Sequence, residues 1–455
     1  MASALFGLLA VVLIIGAGGY VAWQIRPSYV FCAALFLSPI AGSWPRVGIP
    51  SFAAPDRLLL LVAVAAVILR SAGAGDRPRL QVAPVHWLML VTGAFAVISA
   101  LIAGTLFDKT SFLKLLEAFG LAPFLVFFVA PVAFRTQRDR AVLLGTLVAL
   151  GVYLGLTTLF ETLHLNALVY PKYILNQGYG VNPRQSRGPF VEPVTNGYAL
   201  YVCAVASAIA LWRWRAAGRR NLTLLAGATV LLCLAGSFMC LERSVWLGAG
   251  VATVLASLAI SSARRYVALV VVAMAVAIGG SLVFIPGFAQ RVENRKNDQA
   301  TIWDRKNMSR AAVNMIEARP LFGFGWDEFL RHNTDYFQQA SDYPLTNVSG
   351  LHVHSSVLTY GVELGLVGLT LWLATLVFGV GGALATRGPP DLAAWRIGLF
   401  AIAVCYLVVT NFVPPYVFPN LSLWLWAGVC WSGRYAPAVA VGRQGAAEQG
   451  VISSN

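Results

Sequence analysis

The stretch HVHSSVLTYGVELGLVGL, residues 352–369, decides the fold, because it marks the point where a polar loop meets a membrane. Two histidines open it, and the apolar sequence continues from Ser355 to residue 384. That length exceeds the roughly 20 apolar residues that a spanning helix needs. Upstream, residues 286–353 form a long polar segment. An imidazole at such a junction is costly to place and able to titrate near neutral pH. The two histidines are therefore the first candidates for a functional site.

Composition extends the membrane interpretation to the whole chain. Of 455 residues, 58% are hydrophobic and only 11% are charged, whereas a soluble domain carries about 25% charged residues. The apolar runs are continuous rather than alternating, which favours helices over a β-barrel. The sequence predicts an all-α, polytopic transmembrane bundle of about 12–13 helices, with a helical outer loop capping a cavity. The candidate spans are residues 3–23, 28–41, 58–69, 84–104, 111–130, 141–160, 194–212, 222–238, 245–261, 266–285, 355–384, 394–411 and 417–431.

The distribution of arginine predicts the orientation. Short loops rich in arginine, such as the one with Arg135, Arg138 and Arg140, alternate with poorer ones, and cytoplasmic loops carry the excess. We therefore expect residues 286–353 to face outward. We also expect a single membrane domain over residues 1–455, ending in a disordered cytoplasmic tail at 437–455.

Within the outer loop, ATIWDRKNMSRAAVNMIEAR, residues 300–319, is typical of a helix, and Pro320 ends it. The following PLFGFGWDEFL predicts a turn, in which Gly323 and Gly325 supply the backbone freedom, and then a second short helix. A loop of this size is too small to fold as an independent domain. It is better interpreted as a cap over a cavity between the membrane helices.

Three interpretations of the histidines remain open at this point. His354 suits a general base that deprotonates a hydroxyl, with His352 in a supporting position. It also suits a structural role as the cap of the helix that starts at Ser355. A metal site is the third interpretation, because the H-x-H spacing recurs in zinc sites. That site would be completed by residues further upstream in the loop, namely Asp327, Glu328 and His332.

Arginines near the membrane surface suggest a pocket for pyrophosphate, because the guanidinium donates two parallel hydrogen bonds to phosphate. Arg243 lies between two apolar spans and would either bind an anion or pair with its neighbour Glu242. Arg305 and Arg310 are five residues apart, about 140° around a helix, so only one can face the cavity directly. Arg187 lies in a shorter loop, residues 161–193, which we also expect to face outward and call the first outer loop, and it is ambiguous alone.

Gly365 and Gly368 are three residues apart and lie on nearly one face of the predicted helix. Small residues let membrane helices approach closely. We expect both glycines to serve helix packing, which would determine where His354 points.

Together these residues resemble the O-antigen ligases and the related O-antigen polymerase-like membrane glycosyltransferases. Those ligases carry a His, then Asn, Ser or Gln, nine further residues, and G-x-x-G; His354-Ser355 and Gly365–Gly368 fit that spacing. The segment RSVWL from Arg243 is similar to the family's S-R-x-x-x-L type segment, although Glu242 replaces the usual small residue. A further family pattern consists of an arginine, a helix and then P-L-x-G-x-G. Arg305, the predicted helix after it and PLFGFG at residues 320–325 resemble this pattern. RGPFVEPVTN resembles a fourth family segment, with its Asn displaced to position 196.

The resemblance implies an inverting, metal-independent glycosyltransferase without a cofactor, in the bacterial inner membrane. The donor would be a glycan on undecaprenyl diphosphate, and the acceptor a sugar hydroxyl of a glycan or glycolipid at the periplasmic face. His354 would be the base, and Arg243 and Arg305 would clamp the pyrophosphate. Arg187 would assist, and His352 and Arg310 would support the site. A polymerase that extends lipid-linked repeat units is the alternative, and a polysaccharide or lipid transporter a distant one.

Overall fold

The computed structural model describes residues 24–50, 53–72, 79–181, 185–259, 264, 267–285, 287–296, 300–337 and 352–435. The predicted span at 3–23, the predicted tail at 437–455 and parts of the predicted loop at 286–353 lie outside these ranges. Within the described ranges the regular secondary structure is helical. The predicted all-α class is therefore confirmed.

Most of the described helices follow one another with short connections, and two longer ones precede the helices that begin at Pro193 and Ser356. They are α1 (Pro27–Leu37), α2 (Pro55–Ala72), α3 (Pro84–Ile102), α4 (Lys109–Leu113), α5 (Leu121–Ala133), α6 (Gln137–Thr162), α7 (Pro193–Ala216), α8 (Arg220–Met239), α9 (Arg243–Ala259), α10 (Val267–Phe284), α11 (Phe288–Lys296), α12 (Ala300–Ala318), α13 (Phe329–His332), α14 (Ser356–Leu376), α15 (Gly382–Ala385), α16 (Asp391–Thr410) and α17 (Val417–Trp431). A 3₁₀ segment, Ser38–Val47, extends α1, and π-helical turns at Lys114–Phe119 and Val377–Gly381 join α4 to α5 and α14 to α15.

Eight of the described helical segments are long and apolar enough to cross a membrane, or nine if a bent pair in α10 and α11 is one span. Three predicted spans outside this set, at 58–69, 245–261 and 417–431, coincide with described helices that are shorter or more charged. Helix α2 carries Asp56, Arg57 and Arg70, and α9 and α17 have 17 and 15 residues. The described helices form a polytopic bundle, and the predicted count of about 12–13 crossings stays a prediction.

Contacts between helix ends bring the candidate residues to one end of the bundle, which we call the loop face. The Thr105 hydroxyl, after α3, donates to the Trp326 carbonyl at 2.9 Å. Arg291 of α11 donates to the carbonyl of Thr162, the last residue of α6, at 3.3 Å. The loop face therefore holds the carboxyl ends of α3 and α6 and the chain between α11 and α14.

The opposite end is held by a buried ion pair between α6 and α16. Arg140 is 2% exposed and donates to both carboxylate oxygens of Asp391, at 2.8 and 2.9 Å. It also donates to the carbonyls of Phe134 and Arg135. The guanidinium is thereby satisfied by a bidentate partner and two backbone acceptors, which compensates for its removal from water.

Asp391→Asn is expected to destabilise the protein by about 3–5 kcal/mol, because it leaves the Arg140 cation buried beside a neutral amide. Thermal unfolding of the purified protein in lipid nanodiscs would measure the change. Arg331→Gln is the control, since Arg331 is 69% exposed in its pair with Glu328 and such pairs contribute little. Equal stability of both variants would contradict the importance assigned to the buried pair.

Helix α14 is broken at Gly365, whose φ of 67° and ψ of −174° are not helical. The turn after α12 fills the break. Phe324 and Gly325 donate to the carbonyls of Val362 and Glu363, at 2.8 and 3.0 Å. Two further hydrogen bonds run in the opposite direction. The Leu366 N–H donates to the Pro320 carbonyl at 2.7 Å, and the Val367 N–H donates to the Leu321 carbonyl at 3.2 Å. Four hydrogen bonds thus join the loop helix α12 to the membrane helix that His354 precedes.

The two glycines of the predicted packing motif have different surroundings. A Cβ at Gly368 would lie 2.8 Å from the ring of Phe95 in α3, so this position fits the predicted close packing of helices. A Cβ at Gly365 would lie 2.3 Å from the carbonyl oxygen of Leu321. Gly365 therefore allows the approach of the turn rather than of a neighbouring helix.

Candidate active site

His354 lies at the entrance to α14, two residues before its first residue. The helix is capped by Ser355, whose hydroxyl accepts from the Leu358 N–H at 3.4 Å. Capping is therefore carried out by Ser355, and the capping role considered for His354 does not fit. Among the described residues, the His354 Nδ1 is buried and has no hydrogen-bond partner. A buried polar atom without a partner is uncommon in a folded protein, so the His354 Nδ1 is singled out as a candidate functional atom.

Burial and the nearby cation of Arg305 lower the pKa of His354 to about 4. At neutral pH the imidazole is therefore uncharged, which is the state that a general base requires. Arg305 thus acts electrostatically on His354, although the two residues are far apart in the sequence. The structure brings together the predicted base and one of the predicted phosphate ligands.

Arg305 and Arg310 diverge around α12, as their helical spacing predicts. Arg305 is half-buried and Arg310 is exposed. Arg305 also acts electrostatically on Tyr416, at the entrance to α17. Arg305 thus faces the bundle, and Arg310 lies toward solvent, where its predicted supporting role stays a prediction.

Arg243 is the first residue of α9 and is half-buried. Within the described ranges, no ion pair joins it to Glu242, the partner considered for it. Glu242 is 2% exposed and acts electrostatically on Glu192 and Tyr416. The pairing considered for Arg243 is therefore absent among the described residues, and its predicted contact with pyrophosphate stays a prediction.

Glu192 and Tyr416 were not found by sequence reasoning, and both belong to this site. Glu192 caps α7 by accepting from the N–H groups of Val194 and Thr195, and it hydrogen-bonds with Tyr416. Burial raises the pKa of Glu192 to about 7, despite the hydrogen bonds that lower it. An acidic residue directly before a proline is a signal for a helix start, and that signal at Glu192-Pro193 was available in the sequence.

Arg187 is directed into the first outer loop. It is 1% exposed, and its guanidinium donates to the carbonyls of Tyr179, Ile174 and Asn176 at 2.5, 2.6 and 3.1 Å. Its backbone N–H donates to Glu161. These hydrogen bonds indicate that Arg187 stabilises the conformation of its own loop. Its predicted contact with pyrophosphate stays a prediction.

The residues considered as metal ligands are engaged with other partners. The Asp327 carboxylate accepts from Lys114 at 2.7 Å and from Ser111 at 2.6 Å. Glu328 pairs with Arg331 at 2.7 Å and with His332 at 3.3 Å. In the part of the chain that the structure describes, no group of three or more His, Cys, Asp or Glu residues is arranged to hold a metal ion.

His352 lies beside the pair of Lys114 and Asp327. Burial and Lys114 lower the pKa of His352, and Asp327 partly opposes the shift. It lies two residues before His354, and its predicted supporting role stays a prediction. The polar region thus extends from Arg305 through the histidines to Lys114.

An apolar cavity of about 560 Å³ lies between α3 and α5. Its lining includes Leu90 and Val97 from α3, and Leu121 and Phe124 from α5. Leu121 is the first residue of α5, which follows the Lys114–Phe119 turn. The lining also includes His86 and Trp87 near the start of α3, so the cavity runs along the membrane helices toward the end opposite the loop face.

The helices and the polar region at one end of them define a multi-pass membrane protein with a site at the bundle surface. Residues 228–373 match the protein-family model described as O-Antigen ligase. The chain is thus similar to the O-antigen ligases over this segment. A comparison with curated protein sequences finds no significant match. The matched segment contains Arg243, Arg305 and His354, whereas Arg187 lies outside it.

The similarity supports an O-antigen ligase- or polymerase-like function in a membrane, and members of the matched family are glycosyltransferase-like membrane enzymes. The match covers the segment that carries most of the motifs, in agreement with the resemblance inferred from them.

Proposed function

We propose that this chain transfers a glycan from undecaprenyl diphosphate to the hydroxyl of an acceptor sugar, in the manner of an O-antigen ligase. The observation that carries the proposal is the juxtaposition of an uncharged His354, with a buried and unpartnered Nδ1, and the cation of Arg305. A base beside a cation suits a reaction in which a hydroxyl loses a proton while a phosphate leaving group gains charge.

In the proposed reaction, His354 takes the proton of the acceptor hydroxyl as its oxygen attacks the anomeric carbon of the donor. The new glycosidic bond forms while the bond from that carbon to the pyrophosphate oxygen breaks. The electron pair leaves with undecaprenyl diphosphate. A single displacement of this kind inverts the anomeric configuration.

The arginines would stabilise the leaving group in place of a metal ion. Arg305 is close to the base, and Arg243 lies at the end of α9 next to Glu242, whose charge reaches the same cluster. The carboxyl groups of Glu192 and Glu242 oppose an anion here by charge. Burial moderates this for Glu192, because its pKa is raised to about 7. The carboxyl groups would partly neutralise one of the two arginines. A second arginine is therefore needed to stabilise the leaving group.

Arg305→Ala and Arg243→Ala are each expected to weaken donor binding by about tenfold or more, since each removes a hydrogen bond to a charged group. Turnover should fall as well, because the leaving group loses stabilisation. Binding of a polyprenyl diphosphate glycan to nanodisc-embedded protein would measure this. Lys306→Ala is the matched control, since Lys306 follows Arg305 on α12 and is exposed. Unchanged donor affinity in both arginine variants would remove the clamp.

The proposal includes a location and a place for the lipid tail. The loop face would lie at the periplasmic side of a bacterial inner membrane, with the carboxyl terminus in the cytoplasm, as the arginine distribution predicts. The apolar cavity between α3 and α5 would accept part of the polyprenyl chain. The whole chain would act as one membrane domain.

A polymerase that joins lipid-linked repeat units is the second candidate, since the family covers both activities and only the acceptor differs. The two are separated by analysing cells that lack the protein. Loss of glycan from the mature glycolipid, with long lipid-linked chains accumulating, supports a ligase. Accumulation of single lipid-linked units supports a polymerase. The transporter predicted as a distant alternative does not require a base beside a phosphate ligand.

A further inference from the structure

Lys114 and Asp327 form an ion pair at the loop face that the proposed chemistry does not use. The Lys114 Nζ lies 2.7 Å from the Asp327 Oδ1, and their side chains are 39% and 16% exposed. Both charges act on His352. Asp327 also accepts from the Ser111 hydroxyl at 2.6 Å. The pair therefore presents a partly accessible donor next to a held acceptor, beside the histidine segment.

Irregular backbone on both chains places this pair. Lys114 begins a π-helical turn, Lys114–Phe119, and such turns are frequent at functional sites. The turn leaves the Ala118 carbonyl to accept from the Asn420 side chain. Asp327 has a φ of 60°, which is uncommon for a residue with a side chain. Two local departures from regular structure thus converge on one ion pair.

A buried residue of α14 holds Asp327 in its unusual conformation. Glu363 is 5% exposed, and its side chain accepts from the Asp327 backbone N–H. Residues held in sparsely populated conformations cluster at binding and active sites, where the surrounding structure over-determines them. The contact ties the orientation of the Asp327 carboxylate to the same helix that His354 precedes.

The charges of the pair decide what it would bind. A pyrophosphate approaching Lys114 would also meet the Asp327 carboxylate, which repels it. Vicinal hydroxyls of a neutral sugar fit both groups, because one hydroxyl accepts from the ammonium and the next donates to the carboxylate. We propose that Lys114 and Asp327 form a subsite for the hydroxyls of the acceptor sugar. The proposal rests on the proposed function, since this subsite would bind the sugar whose hydroxyl His354 deprotonates.

Binding of a panel of neutral methyl hexopyranosides to the full-length protein in lipid nanodiscs tests the subsite, with saturation-transfer NMR as the measurement. Saturable binding to the wild-type protein is expected. Lys114→Met and Asp327→Asn should each weaken it by about tenfold or more, since each removes a hydrogen bond from a charged group to a hydroxyl. Asparagine tolerates a positive φ, so the second variant preserves the local backbone.

Glu117→Gln is the matched control, because Glu117 lies on the same π-helical turn and pairs with Arg57 at 2.8 Å. It should disturb the turn to a similar degree while leaving glycoside binding unchanged. Absence of saturable binding to the wild-type protein overturns the subsite, as does equal binding by the Lys114 variant or equal weakening by the control.

Failure of the proposed function is read from a different assay. Release of undecaprenyl diphosphate from the lipid-linked donor reports the transfer itself and needs no assumption about Lys114. A wild-type protein that transfers glycan while its Lys114 and Asp327 variants bind glycosides normally refutes only the subsite. A wild-type protein that binds glycosides but never consumes donor refutes the transferase.

Discussion

His354→Ala is expected to reduce glycan transfer by about 10²–10⁴-fold, the range that general-base catalysis contributes, while donor binding changes little. The imidazole would act on the acceptor hydroxyl, and the cations that hold the diphosphate remain in the variant. Transfer from a polyprenyl diphosphate donor in proteoliposomes, and binding of the same donor, are the two measurements. Loss of donor binding in parallel with transfer would contradict the assignment of His354 as the base.

His332→Ala is the control for this variant. His332 belongs to the same outer segment but pairs with Glu328 at 3.3 Å and is 34% exposed. Its removal should leave transfer within about twofold of the wild-type rate, since surface substitutions usually change little. Equal losses in the two histidine variants would indicate a general disturbance of the loop rather than the loss of a base.

The pH dependence gives a second readout for His354. Its pKa is lowered to about 4 by burial and by Arg305, so the base stays uncharged down to that pH. The acid limb of kcat/KM, which reports the free enzyme, should therefore lie near pH 4 rather than near the ordinary histidine pKa of about 6.5. Arg305→Gln should move the limb upward, because one of the two main causes of the shift is removed. An acid limb near 6.5 in the wild-type protein would exclude His354 as the titrating base.

The lowered pKa of His354 also makes the stability of the folded protein depend on pH. Between about pH 6.5 and pH 4 the unfolded chain binds a proton at this histidine and the folded chain does not, so stability falls as pH falls through that window.

Gly365→Ala is expected to destabilise the protein by at least about 3 kcal/mol, because alanine is strained in this glycine-only region. The added Cβ would also lie 2.3 Å from the Leu321 carbonyl oxygen. The turn would be forced out of the break in α14, and its four hydrogen bonds would be lost. Transfer should fall with stability, because this connection sets Arg305 on α12 relative to His354. Thermal unfolding and transfer assays in nanodiscs would measure both effects.

Gly381→Ala is the matched control, as Gly381 lies in the π-helical turn that follows α14 and a Cβ there would meet nothing within 4 Å. Alanine is a better helix former than glycine, so this variant should be neutral or slightly more stable. A Gly365 variant as stable as the Gly381 variant would show that the break in α14 is not required.

Sequence reasoning reached the membrane class and the loop helix because both depend on local pattern. Apolar runs mark helices whatever they pack against, and the predicted helix at 300–319 is found at Ala300–Ala318. The proline and glycines after it correctly indicated a turn, since Gly323 and Gly325 have φ of 72° and 113°. Lys114 and Glu117 within a predicted span were also a visible signal, because ionisable groups at membrane depth are candidates for function. That signal was not followed.

By itself the sequence determined that the chain is a helical membrane protein, and it supplied the histidine, arginine and glycine motifs that resemble the ligase family. Only the tertiary structure decided which of these residues meet. It brought Arg305 to His354, committed Arg187 to its own loop, and placed Glu192 and Tyr416 beside them. The reason is physical: hydropathy and turn chemistry act over a few residues, whereas an electrostatic contact depends on how distant helices pack. The break at Gly365 links local sequence to tertiary packing, because this single glycine allows the turn after α12 to hydrogen-bond to the membrane helix α14.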